Sequence, residues 1–127
     1  MIKRIVKILI IAFFVISLLL LSFILINTAL GYKPYRIVSA SMSPSISEGD
    51  IVYAKSVPFN KLKENDIIVF GYNNSNMIVT HRIISVNISE GYAVAKGDKN
   101  KSVEAKIYAD DIIGKYIYKI PLIGKIL

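Results

Sequence analysis

The stretch DIIVFGYNNSNMIVTHRIISVNISEGYAVAK, Asp66 to Lys96, holds three short runs rich in Val, Ile and Tyr, parted by two polar clusters. DIIVFGY (Asp66–Tyr72), MIVTHRIISV (Met77–Val86) and GYAVAK (Gly91–Lys96) have the β-branched and aromatic content that suits a pleated surface. NNSN (Asn73–Asn76) and SEG (Ser89–Gly91) have the composition of turns, so the runs read as antiparallel strands joined by tight connections. Upstream, DIVYAK (Asp50–Lys55) has the same character, and downstream DIIGKYIYKI (Asp111–Ile120) reads as a final strand. PFNKLKEN (Pro58–Asn65) is a longer connection. The fold class expected from this pattern is mainly β: a small antiparallel domain over residues 31–127.

What precedes that domain is of another kind. From Ile8 to Leu30 there are 23 residues without a charge. At a rise of about 1.5 Å per residue, a helix of that length reaches roughly 34 Å, enough for a hydrocarbon core of about 30 Å. A cleaved secretory signal is the rival reading, but its apolar region is normally about 7–15 residues. No convincing small-residue cleavage site follows the run. An uncleaved transmembrane helix over 8–30 is therefore expected, after a basic tail over 1–7. Lys3, Arg4, Lys7 and the terminal amine precede it, against Lys33 and Arg36 after it. This balance favours a cytoplasmic N-terminus, single-pass topology and an extracytoplasmic β domain. The apolar end YKIPLIGKIL (Tyr118–Leu127) is too short to span a bilayer and contains Pro121, so it is expected to pack on the domain rather than to touch the membrane interface.

The net charge of +7 is concentrated near the anchor. With Lys3, Arg4, Lys7 and Lys33 set aside, 12 basic and 9 acidic residues remain, a net +3. That suits a domain beside an anionic lipid bilayer. It has no stripe of basic and aromatic residues for stacking bases, so no nucleic-acid partner is expected. The chain has no cysteine, which excludes thiol catalysis, disulfides and thiolate metal sites, and one histidine is too few for a histidine-based zinc centre. No metal and no cofactor are expected.

The chemistry has few places left to sit. SASMSP (Ser39–Pro44) sets three serines around a methionine whose polar neighbours suggest exposure, and His81 is the one imidazole. Serine is a weak nucleophile until a base takes its proton, and neutral imidazole is the usual base near pH 7. Ser41 and His81 lie 40 residues apart, a separation that adjacent antiparallel strands can close. Asp98, in KGDKN, and Glu104, six residues on, are the acidic candidates to orient the imidazole. Each feature alone is ordinary: serines before a proline make turns, strand histidines are mostly structural, and GDK is a common turn.

Together and in this order they resemble type I signal peptidases, in the archaeal and endoplasmic-reticulum branch that also includes some endospore-forming bacteria. The resemblance rests on SASMSPSISEGDIV (Ser39–Val52), VTHRIISV (Val79–Val86), AKGDKN (Ala95–Asn100) and GKYIYKIPLIG (Gly114–Gly124), with the N-terminal anchor in agreement. It implies a membrane-bound serine endopeptidase that cleaves N-terminal signal peptides from secreted and membrane preproteins. Ser41 is then the nucleophile and His81, where the bacterial branch carries lysine, the general base. Ser39 and the Ser41 N–H become the oxyanion donors. Met42 seats the loop near the substrate, with Val79 beside it, and Pro44 stiffens it. Signal peptides of preproteins, the bilayer and a secretion translocon are the implied partners.

Two positions depart from the family pattern. Lys99 stands where GDNN has its first asparagine, and Glu104 where the essential acid is normally aspartate. Asp98 and Glu104 are thus read as a shared acidic pair near His81, the choice between them open. The chain ends at Leu127, where some relatives carry another span. A non-catalytic membrane-tethered β domain, a scaffold or assembly subunit keeping the peptidase fold, is the alternative. A self-cleaving or repressor-cleaving relative is a third reading, but those are cytosolic and have no use for an apolar anchor.

Overall fold

The computed structural model describes residues 1–72, 76–100 and 104–121. Asn73–Ser75 of the NNSN connection and residues 122–127 of the apolar end lie outside them. The chain divides into two compact units, residues 1–32 and 33–127. The first is built on one helix, α1 (Ile2–Ala29), long and apolar enough to cross a membrane. Lys3, Arg4 and Lys7 are on its first turns, so the basic flank is helical as well.

The second unit is a sheet of seven strands: β1 (Tyr32–Arg36, its first residue on the unit boundary), β2 (Ile51–Lys55), β3 (Ile67–Gly71), β4 (Ile78–Asn87), β5 (Tyr92–Lys96), β6 (Glu104–Tyr108) and β7 (Ile112–Ile120). Their order is β1-β2-β7-β3-β4-β5-β6. The β2–β7, β7–β3, β3–β4, β4–β5 and β5–β6 pairs are antiparallel. The five expected strands are present. The β3–β4 and β4–β5 hairpins arise from the stretch that suggested them, the second closing with Asn87 opposite Tyr92. β1 and β6 were not anticipated. Their sequences, YKPYR and EAKIY, are short and charged, and one holds a proline, which suits sheet edges better than an alternating pattern does.

Two apolar clusters flank the sheet, and β3 serves both. Successive strand residues point to opposite faces. Ile67 and Val69 join Ile37, Met42, Ile46, Val52 and Ala54, while Ile68 and Phe70 join Leu62, Ile83, Ala93, Ala95 and Ile107. This is why IIVF is an unbroken apolar run: the strand is covered on both sides. The sheet is also curled. Residues of β1 and of β4 line one cleft although β2, β7 and β3 lie between them in the strand order.

Candidate active site

Ser41 lies between β1 and β2, in a segment that turns repeatedly. The Ser43 N–H bonds the Ala40 carbonyl and the Ile46 N–H bonds the Met42 carbonyl. That one-turn spacing aims Met42 and Ile46, each 1% exposed, into the first cluster and leaves the alternating serines outside. Met42 is therefore a buried peg, not the exposed residue its serine neighbours suggested. At the far end, Gly49 has φ 91°, a left-handed conformation that glycine adopts without strain. The Gly49 N–H donates to the Ile37 carbonyl and the Ile37 N–H to the Asp50 carbonyl, which closes the base of the loop.

A second connection, Gly97–Asn100 between β5 and β6, lies directly on this loop. The Lys99 N–H donates to the Ser41 carbonyl at 2.9 Å. Gly97 faces Ser41 so closely that a Cβ there would stand 2.6 Å from the Ser41 carbonyl oxygen and 3.1 Å from its Cβ. The Ser41 N–H donates to the Ser39 hydroxyl oxygen at 3.2 Å, which sets these two groups side by side.

His81 comes from β4, opposite Ile68 of β3. Its ring meets that of Phe70 edge to face, with centroids 5.6 Å apart. Strand adjacency does not join it to Ser41, because Ser41 is in a loop and β1 and β4 are not neighbours. The curl of the sheet does so: Ser39, Ser41, Met42, Val79 and His81 line one cleft of about 340 Å³, bounded by Tyr35–Val38 on one side and Met77–Thr80 on the other. Burial lowers the His81 pKa below its usual 6.5, and the Asp98 charge works against that shift. The imidazole is thus held neutral at pH 7.

The two carboxylates of the expected acidic pair have different partners. Asp98 is engaged by Arg82 in a two-pronged pair, Nε to Oδ1 and Nη2 to Oδ2, both 2.9 Å. It also accepts a bond from Ser45, and its N–H approaches the Met42 sulfur at 3.4 Å. The Arg82 bonds are the main reason its pKa is lowered. Glu104 begins β6, exposed and paired across the ladder with Lys96. The buried Nδ1 of His81 has no hydrogen-bond partner among the described residues, so neither carboxylate bonds it there.

A family profile described as signal peptidase, peptidase S26, matches residues 2–113. The chain belongs to that family. It is 27% identical over 99 residues to the signal peptidase complex catalytic subunit SEC11 of Colletotrichum graminicola, covering 69% of this chain and 58% of that one. Signal peptidase I W of Bacillus subtilis is 27% identical over 84 residues, 64% of this chain and 44% of the relative. The human signal peptidase complex catalytic subunit SEC11C is 24% identical over 101 residues, 71% and 53%. The chain thus spans about half the length of the curated relatives it matches. For an S26 chain, sequence reasoning overlooked Arg82 and Gly97. HR and GD were in view as motifs, but only the fold reveals that Arg82 holds Asp98 and that Gly97 makes room for Ser41.

Proposed function

We propose that this chain is a membrane-anchored serine endopeptidase that removes signal peptides from preproteins. Ser41 is the nucleophile and His81 the general base. The observation that carries this reading is the presence of Ser41 and the neutral-leaning His81 on the wall of one cleft in a chain of the S26 family. The substrate enters extended between β1 and β4, so its main chain can bond a strand edge, while the apolar lining near Met42 and Val79 takes small side chains.

Ser41 Oγ attacks the scissile carbonyl carbon as its proton passes to the neutral His81 imidazole. Negative charge grows on the carbonyl oxygen, beside the Ser41 N–H and the Ser39 hydroxyl. The Ser39 oxygen accepts the Ser41 N–H in the resting site, which leaves its own proton free to donate. Collapse breaks the C–N bond, and His81 returns the proton to the leaving amine. Water, deprotonated by His81, then cleaves the ester and frees Ser41.

The helix α1 tethers the enzyme in the plane of its precursors, which raises their effective concentration. By the basic flank, the N-terminus is cytoplasmic and residues 31–127 are outside, where a translocon delivers substrate. The test is incubation of the detergent-solubilised chain with a preprotein. Wild type should release the signal peptide, and Ser41→Ala and His81→Ala should each abolish release. Undiminished cleavage by Ser41→Ala would overturn the assignment. Protease added to intact membrane vesicles reads the orientation.

A further inference from the structure

We infer that Lys119, on the last strand, is a positioning residue for the nucleophile loop, acting through Asp50. The inference builds on the proposed role of Ser41. Asp50 closes the loop and its side chain is 1% exposed, a place where a carboxylate is very costly unless cations and donors surround it. Its Oδ2 accepts the Ser47 N–H at 2.9 Å and the Lys119 ammonium at 3.2 Å. The same ammonium donates to the Ser45 carbonyl at 2.9 Å.

One cation thus bonds the loop twice, at a backbone carbonyl and at the carboxylate that caps the loop's own amide. Lys119 reaches this point because it pairs with Val52 across the β2–β7 ladder, and cross-strand partners share a face. Val52 is in the first cluster with Met42 and Ile46. The lysine stem therefore runs along the apolar face and its head meets the loop. Held this way at Ser45 and Asp50, and by the Gly97–Lys99 turn at Ser41, the loop is fixed at both ends.

Four full-length proteins test this: wild type, Lys119→Met, Lys119→Arg and the double variant Asp50→Asn with Lys119→Met. Two readouts are needed, steady-state cleavage of a preprotein and hydrogen exchange of the amides of residues 43–50. Lys119→Met keeps the stem and removes both bonds. Its kcat should fall about tenfold to a hundredfold, with KM within about twofold, because displacement of a reacting group by about 1 Å costs on that order. The loop amides should exchange faster while those of β3 and β4 keep their protection. Lys119→Arg should recover most of kcat. In the double variant the Asp50 charge is removed together with its Lys119 partner, so kcat and loop protection should fall no further than in Lys119→Met, because the lysine acts through that carboxylate.

Wild-type kcat and loop protection in Lys119→Met would overturn the inference. So would a double variant that falls well below Lys119→Met, or a Lys119→Met chain that loses protection throughout the sheet. If wild type shows no Ser41-dependent cleavage, the peptidase reading falls, and the exchange data still decide the clamp.

Discussion

Gly97→Ala is the substitution whose effect the geometry fixes most tightly. The new methyl group would lie 2.6 Å from the Ser41 carbonyl oxygen, 2.9 Å from the Asn100 amide nitrogen and 3.1 Å from the Ser41 Cβ. An ordinary carbon–oxygen contact is about 3.3 Å, so the Ser41 backbone and the Gly97 turn must separate by about 0.7 Å. The nearest atom is backbone and cannot swing aside as a flexible side chain would. Its carbonyl is also held at 2.9 Å by the Lys99 N–H, so the strain passes into that bond. A misplacement of about 1 Å at a reacting group costs on the order of a hundredfold in rate. Gly97→Ala should thus lower kcat by about tenfold to a hundredfold, and KM should change little, since the cleft walls on β1 and β4 are untouched. The control is Gly71→Ala, where a Cβ meets nothing within 4 Å. Cleavage kinetics of both variants, alongside their thermal unfolding midpoints, separate loop displacement from loss of fold. Wild-type kcat in Gly97→Ala, or an equal loss in Gly71→Ala, would refute the reasoning.

Ser39→Ala should lower kcat by up to about a hundredfold, less than Ser41→Ala, with KM nearly constant, because an oxyanion donor acts in the transition state; a raised KM at constant kcat contradicts the role. The profile of kcat/KM against pH should be flat near neutrality and fall with acid through a midpoint below 6.5, since burial lowers the His81 pKa and only the neutral ring is a base. Because Asp98 raises that pKa, Asp98→Asn should move the midpoint further towards acid; a move towards alkali would overturn the electrostatic account. The same shift has a stability consequence: the unfolded chain binds the His81 proton more readily, so His81 makes folding less stable as pH falls from 6.5 towards the folded pKa. Glu104→Gln should change kcat less than twofold or so, since the side chain is exposed opposite Lys96 and surface pairs contribute little; a crippled variant would return Glu104 to the site.

The fold was legible where apolar pattern and burial coincide. DIVYAK, DIIVFGY, MIVTHRIISV, GYAVAK and DIIGKYIYKI each became a strand because each has a face to bury, and IIVF has two. YKPYR and EAKIY stayed hidden because edge strands are stabilised by a single ladder and leave most of their side chains to solvent. The candidate residues were named from their types and order, and Ser41, Ser39, Met42, Val79 and His81 line one cleft. How they meet was not legible. The curl of a seven-stranded sheet is a cumulative property of twist across every pair, which no local pattern encodes. Nor does the polarity of SASMSP reveal that Met42 is buried, since only the turn at Ala40–Ile46 decides which side chains face in.

Two carboxylates at the Ser41 loop, Asp98 and Asp50, each already hold a cation. Asp98 grips Arg82 and receives Ser45, and Asp50 grips Lys119 and receives the Ser47 amide. A carboxylate engaged in that way is a fixed anchor, and its pull on the imidazole is through space. For His81 this leaves a division of labour. The Asp98 charge moderates the pKa, burial keeps the ring neutral, and Phe70 packs on the ring in a T-shaped contact. In a hydrogen-bonded triad the acid selects the tautomer and steadies the imidazolium, an effect of up to about 10⁴ in rate. Among the described residues nothing bonds the buried Nδ1, so the two influences on the ring that the structure shows are burial and the Asp98 charge. They act in opposite directions on the pKa, with burial the larger. Asp98→Asn removes one of them and leaves the other, which is why the acid limb of the pH profile, and not the rate at neutrality, is where that substitution should be read.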